Sequence, residues 1–266
     1  MILVTLYSIS RYIIKGWFII KKNIIAIIGS NNTSSKTRVI TENVLNELTK
    51  LDQDYSYKNI FLGELNLKYC MGCQKCFNNG FCELDKLDDM ELIRKYMEKA
   101  DIILLASPVY ANDVSGIMKT FIDRLSYQFH LLSFSGKLGF TLVVADQSGS
   151  KKVIEYLEHL SINLGIKNLS NYSFIYINDS MYEKPTLIAK DILRKIQGNY
   201  GYSNYYLEYL FRMYKSKTLP NDTVNFENIS HQNELKFWSQ NWIKNTDSFQ
   251  EFAVKKRSIN YDLYEK

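Results

Sequence analysis

Four cysteines stand within thirteen residues, in the run CMGCQKCFNNGFC, at Cys70, Cys73, Cys76 and Cys82. Two-residue gaps let successive thiolates converge on one inorganic centre, and the C-x2-C-x2-C-x5-C order suits the four ligands of a [4Fe-4S] cluster. Zinc sites use similar gaps, usually as two separated C-x-x-C knuckles, and cysteines that ligate nothing are the third possibility. The fourth cysteine is followed by Glu83, not by the proline of the bacterial ferredoxin run, so this is not a ferredoxin insert. With all four cysteines in one stretch, metal ligation in a reducing, cytoplasmic setting fits better than disulfides spread over a secreted fold.

A second chemical signal is the run GSNNTSSKT, residues 29 to 37. Its hydroxyls and amides precede a helical pattern, and the free N–H groups and dipole of a helix N-terminus favour an anion such as a phosphate monoester. The run is neither GxxxxGK[ST] nor GxGxxG, which argues against P-loop hydrolysis and against a dinucleotide fingerprint. The plainer alternative is a Ser/Asn-rich turn that caps the helix. A third signal is SPVYANDVSGIMKTFIDRL, residues 107 to 125. Pro108 stiffens its start, Tyr110 offers a flat aromatic surface, and residues 111 to 116 are small or polar enough for backbone N–H groups to approach a ring system. Such donors would tune a flavin, whose reduction places negative charge on the pyrimidine side of the ring. For Asp123 and Arg124 the simplest reading is a solvated helix face. A weaker signal, ADQSGSKK at residues 145 to 152, is another polar turn into a helix, placed to close the same site from its other side.

These loops need a frame that brings them to one edge. Apolar runs alternate with amphipathic stretches from residue 23 to about 196, as in βα units around a parallel sheet. Five strands are expected at Ile24 to Ile28, Asn59 to Leu62, Asp101 to Ser107, Leu138 to Ala145 and Tyr172 to Ile177. Helical faces are expected at Ile40, Val44 and Leu48; at Met90, Ile93 and Met97; at Phe121, Leu125 and Phe129; and at Val153, Leu157 and Leu160, with a fifth helix starting near Pro185. The fold class is therefore α/β, a doubly wound five-stranded parallel sheet of flavodoxin-like order 2-1-3-4-5, in which ligands collect outside the carboxyl ends of the strands.

Three parts are expected: an N-terminal extension (1–22), a flavodoxin-like domain (23–198) and an aromatic-rich helical C-terminal extension (199–266), read as two or three helices broken at Pro220. Trp238, Phe237 and Trp242 are taken as packing anchors. His130, His159 and His231 need no catalytic role. Lys and Arg total 33 against 28 Asp and Glu, with no block of like charges, so nucleic acid is not an expected partner. Arg11, Lys15, Lys21 and Lys22 interrupt every N-terminal window long enough to cross a bilayer, so no membrane span is expected.

Taken together, GSNNTSSKT, CMGCQKCFNNGFCELDKLDDM and SPVYANDVSGIMKTFIDRL resemble the NAD(P)H-dependent FMN reductase family, especially its iron-sulfur flavoprotein branch, over about residues 23 to 196. The resemblance implies an oxidoreductase with FMN, NAD(P)H or a small carrier as electron donor, and a four-cysteine [4Fe-4S] cluster as relay. It implies Ser30, Asn32, Ser35 and Thr37 at the phosphate, and Pro108, Val109, Tyr110, Ala111 and Asn112 at the ring and ribityl chain, with flavin N5 itself carrying the chemistry. Family members usually carry Pro-Arg after the first-loop serine, where this chain has Asn31 and Asn32. They are commonly dimers or tetramers, in which Asp123 and Arg124 would serve subunit contacts. Two alternatives stay open: a plain quinone or FMN reductase without a cluster, and a non-catalytic iron- or oxygen-sensing flavoprotein.

Overall fold

The computed structural model describes residues 21–175, 184–216 and 231–264. Residues 1–20, the expected strand end at Ile177 and the helix break at Pro220 lie outside the described residues.

Five parallel strands form one sheet in the order β2-β1-β3-β4-β5: β1 (Lys22–Ile28), β2 (Tyr55–Phe61), β3 (Ile102–Pro108), β4 (Leu138–Ala145) and β5 (Lys167–Ile175). Because side chains alternate across a strand, the apolar runs feed two cores at once. Ile25, Ile27, Ile103, Leu105 and Val143 point to one face, where α3 (Met90–Lys99), α4 (Gly116–Arg124) and α6 (Ser150–Asn163) cover them. Ile24, Ala26, Ile28, Leu104 and Leu142 point to the other, under α1 (Lys36–Leu51) and α7 (Lys184–Gln197). The expected helix faces are buried, except that Phe129 is half-buried on a separate short helix, α5 (Ser126–Phe129).

Two strands differ from expectation in length. β2 begins at Tyr55, four residues before Asn59, and β5 begins at Lys167, five before Tyr172. Both are edge strands whose residues are mostly half-buried, so polar residues interrupt the apolar text that marks the central strands.

The C-terminal segment forms four described helices rather than two or three: α8 (Tyr205–Lys215), α9 (Gln232–Trp238), α10 (Asn241–Lys244) and α11 (Phe249–Tyr264). They enclose a third core of Phe211, Trp238, Ile243, Phe249 and Phe252, joined by Leu132 from the sheet domain. Trp238 is fully buried, and its indole N–H donates to the His130 carbonyl at 2.8 Å, so the packing role expected for it holds. At the lower edge of the sheet, the Arg257 guanidinium on α11 donates to the Gly136 carbonyl at 2.9 Å and pairs with Asp101, whose other oxygen accepts the Asn23 N–H. Among the described residues no helix is long and apolar enough to cross a membrane.

Candidate functional site

β1 and β3 are neighbours whose chains depart to opposite faces, so the loops after them open a crevice at the carboxyl edge, the usual ligand position in such sheets. Ser35 is the N-cap of α1 and accepts from the Arg38 N–H. The Asn32 side chain accepts from Ser34 N–H, and the Ser30 hydroxyl oxygen from Asn32 N–H. The N–H groups of Asn31, Thr33 and Thr37 and the buried Thr37 hydroxyl have no acceptor among the described residues. A shallow pocket opens beside this loop, lined by Ser30, Asn32, Ser35, Arg38, Phe61 and Gly63. The Arg38 guanidinium carbon lies over the Phe61 ring, 3.6 Å from its centroid, and the side chain pairs with Glu64 at 2.5 Å. This places a guanidinium beside a loop whose text carries none.

The loop after β3 turns within two residues. Tyr110 and Asp113 exchange backbone hydrogen bonds, each 2.9 Å, and Ala111 and Asn112 between them take positive φ of 50° and 62°. Non-glycine residues at positive φ are uncommon, and two in succession form a turn that leaves their N–H groups pointing outward. Neither N–H has a protein acceptor among the described residues. Tyr110, Ala111 and Asn112 are exposed, Val109 is half-buried, and Pro108, the last strand residue, is buried beneath them.

Three contacts join the loops into one site. The Ser115 hydroxyl, N-cap of α4, donates to the Gly29 carbonyl at 2.6 Å and accepts from the Met118 N–H. Lys36 on α1 pairs with Asp146 after β4 at 2.8 Å. Gly149, at φ 88°, lies so close to the β3 loop that a Cβ there would come within 2.6 Å of Asn112 Oδ1. The loop after β4 thus closes the crevice from the side opposite the first loop.

The cysteine segment leaves β2 on the same edge. Cys70 and Cys73 are exposed; Cys76, on α2 (Lys75–Asn79), and Cys82 are half-buried. Burial, with the neighbouring Cys82, Cys70 and Cys73 thiolates adding to it, pushes the Cys76 thiol up to about 11. No three of the four sulfurs lie within 4.8 Å of one another. A single tetrahedral ion with bonds near 2.3 Å would draw them to about 3.8 Å apart.

What holds this segment is Arg124. Expected on a solvated helix face or at a subunit contact, it is instead buried, its side chain fully enclosed. It pairs with Asp85 at 2.6 Å and with Asp88, and donates to the Lys68 carbonyl at 2.9 Å. Arg94 takes the other Asp85 oxygen. Asp88 also accepts the Lys68 and Met90 N–H groups, at 3.0 and 3.1 Å. Burial alone would raise Asp88, but Arg124 and those two N–H groups outweigh it and hold the carboxyl below its ordinary value. Burial likewise opposes the Arg124 charge and is outweighed by Asp88, Asp85 and the nearby Cys82, which hold it above the usual range. The Arg124 Nε is buried without an acceptor among the described residues. Asp123, one residue earlier, is the partly exposed partner of Lys119.

The NADPH-dependent FMN reductase family profile matches residues 22–179, more than half of the chain. The chain belongs to this family. An iron-sulfur flavoprotein of Archaeoglobus fulgidus is 32% identical over 120 residues, 45% of this chain and 53% of that protein. An iron-sulfur flavoprotein of Methanocaldococcus jannaschii is 32% identical over 132 residues, 48% of this chain and 65% of that protein. The chain therefore spans about half to two thirds of the length of these relatives. The fold is shared with an NAD(P)H:quinone oxidoreductase from Methanothermobacter marburgensis, at 14% identity and TM-score 0.53, over 68% of this chain and 98% of that one.

Proposed function

We propose that this chain is an FMN-dependent oxidoreductase that takes electrons from NAD(P)H or a small carrier and exchanges them with a [4Fe-4S] cluster on Cys70, Cys73, Cys76 and Cys82. Two donor sets without acceptors among the described residues, one in each loop of the β1/β3 crevice and locked together through Ser115, support this most directly. Flavin supplies the chemistry that links a two-electron donor to single-electron partners. The residues do the rest. Backbone N–H groups of Asn31, Thr33 and Thr37, the Ser30 and Thr37 hydroxyls, and the α1 dipole suit a phosphate dianion, with Asn32 and Ser35 shaping the loop. Tyr110 offers a flat apolar surface, and the Ala111 and Asn112 N–H groups are donors for the electron-rich side of a ring system, on a turn that Pro108 and Val109 support from below.

For the cluster, the donor set fits. Four thiols share one loop, at spacings that let them converge on one inorganic centre. A buried cation with a spare N–H, Arg124, stands close enough to Cys82 to feel its charge and suits an anionic centre. The names of the relatives support the same assignment. The proposed protein is a three-part chain (1–22, 23–198 and 199–266) that forms a homo-oligomer in a cytoplasmic setting.

The phosphate assignment has its own test. Ser30→Ala with Thr37→Ala should weaken FMN binding about 100-fold, from two hydrogen bonds to a charged acceptor at about 1.5 kcal/mol each. Riboflavin, which has no phosphate, should bind to parent and variant alike. Titration of both flavins checks this, and an equal loss for the two would remove the phosphate from the first loop.

A further inference from the structure

We propose that His130, His231 and Glu234 form a second metal site, separate from the cysteines, that takes one borderline divalent cation of the zinc class. One ligand atom from each of the three residues lies within 4.8 Å of the others. Glu234 Oε2 is 2.7 Å from His130 Nδ1 and 4.0 Å from His231 Nδ1. Two imidazoles and a carboxylate are a donor set for zinc or ferrous iron that leaves room for water. Zinc bonds of 2.0–2.2 Å set tetrahedral ligand atoms about 3.3 Å apart, and the two carboxylate-to-imidazole separations of 2.7 and 4.0 Å bracket that spacing.

The surroundings are built to orient these ligands. Glu234 is buried at 5% exposure, and its carboxylate faces both imidazoles. His231 and Glu234 are three residues apart at the start of α9 and so share a face. His231 sits in the left-handed region at φ 64°, and its N–H donates to Asn78 Oδ1 on α2 at 2.9 Å. The main chain of His130 is fixed by the Trp238 indole. The Phe77 ring contacts both imidazoles, with centroids 5.2 and 4.9 Å away, and Tyr214 lies 5.8 Å from His130. The His130 and His231 side chains keep 30% and 44% exposure, which leaves a path for an ion.

The position gives the site its role. His130 belongs to the sheet domain, His231 and Glu234 to the C-terminal helices, and Asn78 and Phe77 to the helix that carries Cys76. Gly80, at the end of that helix, lies where a Cβ would come within 2.6 Å of Asn233 Oδ1. An ion here would fasten the C-terminal helices over the cysteine segment. This inference does not depend on the proposed redox reaction.

The test is a cobalt(II) titration of the full-length chain, because thiolate ligation gives an intense near-ultraviolet charge-transfer band and N/O ligation gives only weak visible bands. The parent should bind one equivalent that shows the weak visible bands alone. His231→Ala and Glu234→Gln should each lose that equivalent and keep any thiolate-bound cobalt. In the parent, zinc at about 100 times its dissociation constant should also raise the unfolding midpoint on the order of 5 °C, and this shift should be clearly smaller in His231→Ala. Because that imidazole is half-exposed, the variant keeps its fold, which circular dichroism checks even if Glu234→Gln does not fold. The proposal is overturned if all bound cobalt shows thiolate charge transfer, or if His231→Ala binds as many equivalents as the parent.

Discussion

Replacing Arg124 by Met is expected to destabilise the chain by about 3–5 kcal/mol, the cost of leaving a buried carboxylate without its partner. The Asp88 side chain is fully enclosed, and Arg124 is the cation paired with it. Asp85 keeps Arg94, so the loss falls mainly on Asp88. The midpoint of urea unfolding measures the effect. Lys119→Ala, which removes an exposed pair one turn away on the same helix, should cost less than about 1 kcal/mol. Adding Asp88→Asn to Arg124→Met should recover part of the loss, because the orphaned charge is then gone. pH gives a second readout. Since the folded Asp88 value is lowered, its contribution is present above the unfolded value of about 3.9 and is lost as pH falls through the folded one. A parent and an Arg124→Met variant of equal stability at neutral pH would show that the network does not hold the cysteine segment.

The second large effect concerns the cysteines. Cys73→Ser with Cys76→Ser should abolish bound iron after anaerobic reconstitution, while flavin stays bound and reducible by a two-electron donor. Delivery to a one-electron acceptor should slow by about tenfold or more, since single-electron transfer is the work assigned to the cluster. Iron content by elemental analysis and stopped-flow reduction of a one-electron dye provide the two measurements. Zinc or no metal in the parent, or unchanged one-electron rates in the variant, would leave a plain FMN reductase.

The central strands β1, β3 and β4 are legible in the sequence because both faces are covered and their text is apolar throughout, as in IIAII and IILLA. The edge strands are read short at their starts, since residues such as Lys58 and Asn168 are compatible with one open side. The phosphate-type loop and the β3 turn are visible as text, but the positive φ of Ala111 and Asn112 is not, because neither residue type demands it. Arg124 is the clearest miss. Helical periodicity places a lone arginine in solvent, and its partners lie 36 and 39 residues away. The signal was the acidic text after the last cysteine, CELDKLDDM, which needs buried cations once that segment packs against the core. The His130 and Glu234 pair is 104 residues apart in sequence. Only the local spacing of His231 and Glu234 hinted at it.

Flavin in the β1/β3 crevice is tested most directly by the visible absorption spectrum of the anaerobically purified chain. Two flavin bands, over a broad iron-sulfur absorption, should appear and bleach on addition of NAD(P)H or a chemical two-electron reductant. A protein that shows no flavin bands, and acquires none when mixed with excess FMN and passed through a desalting column, would contradict it.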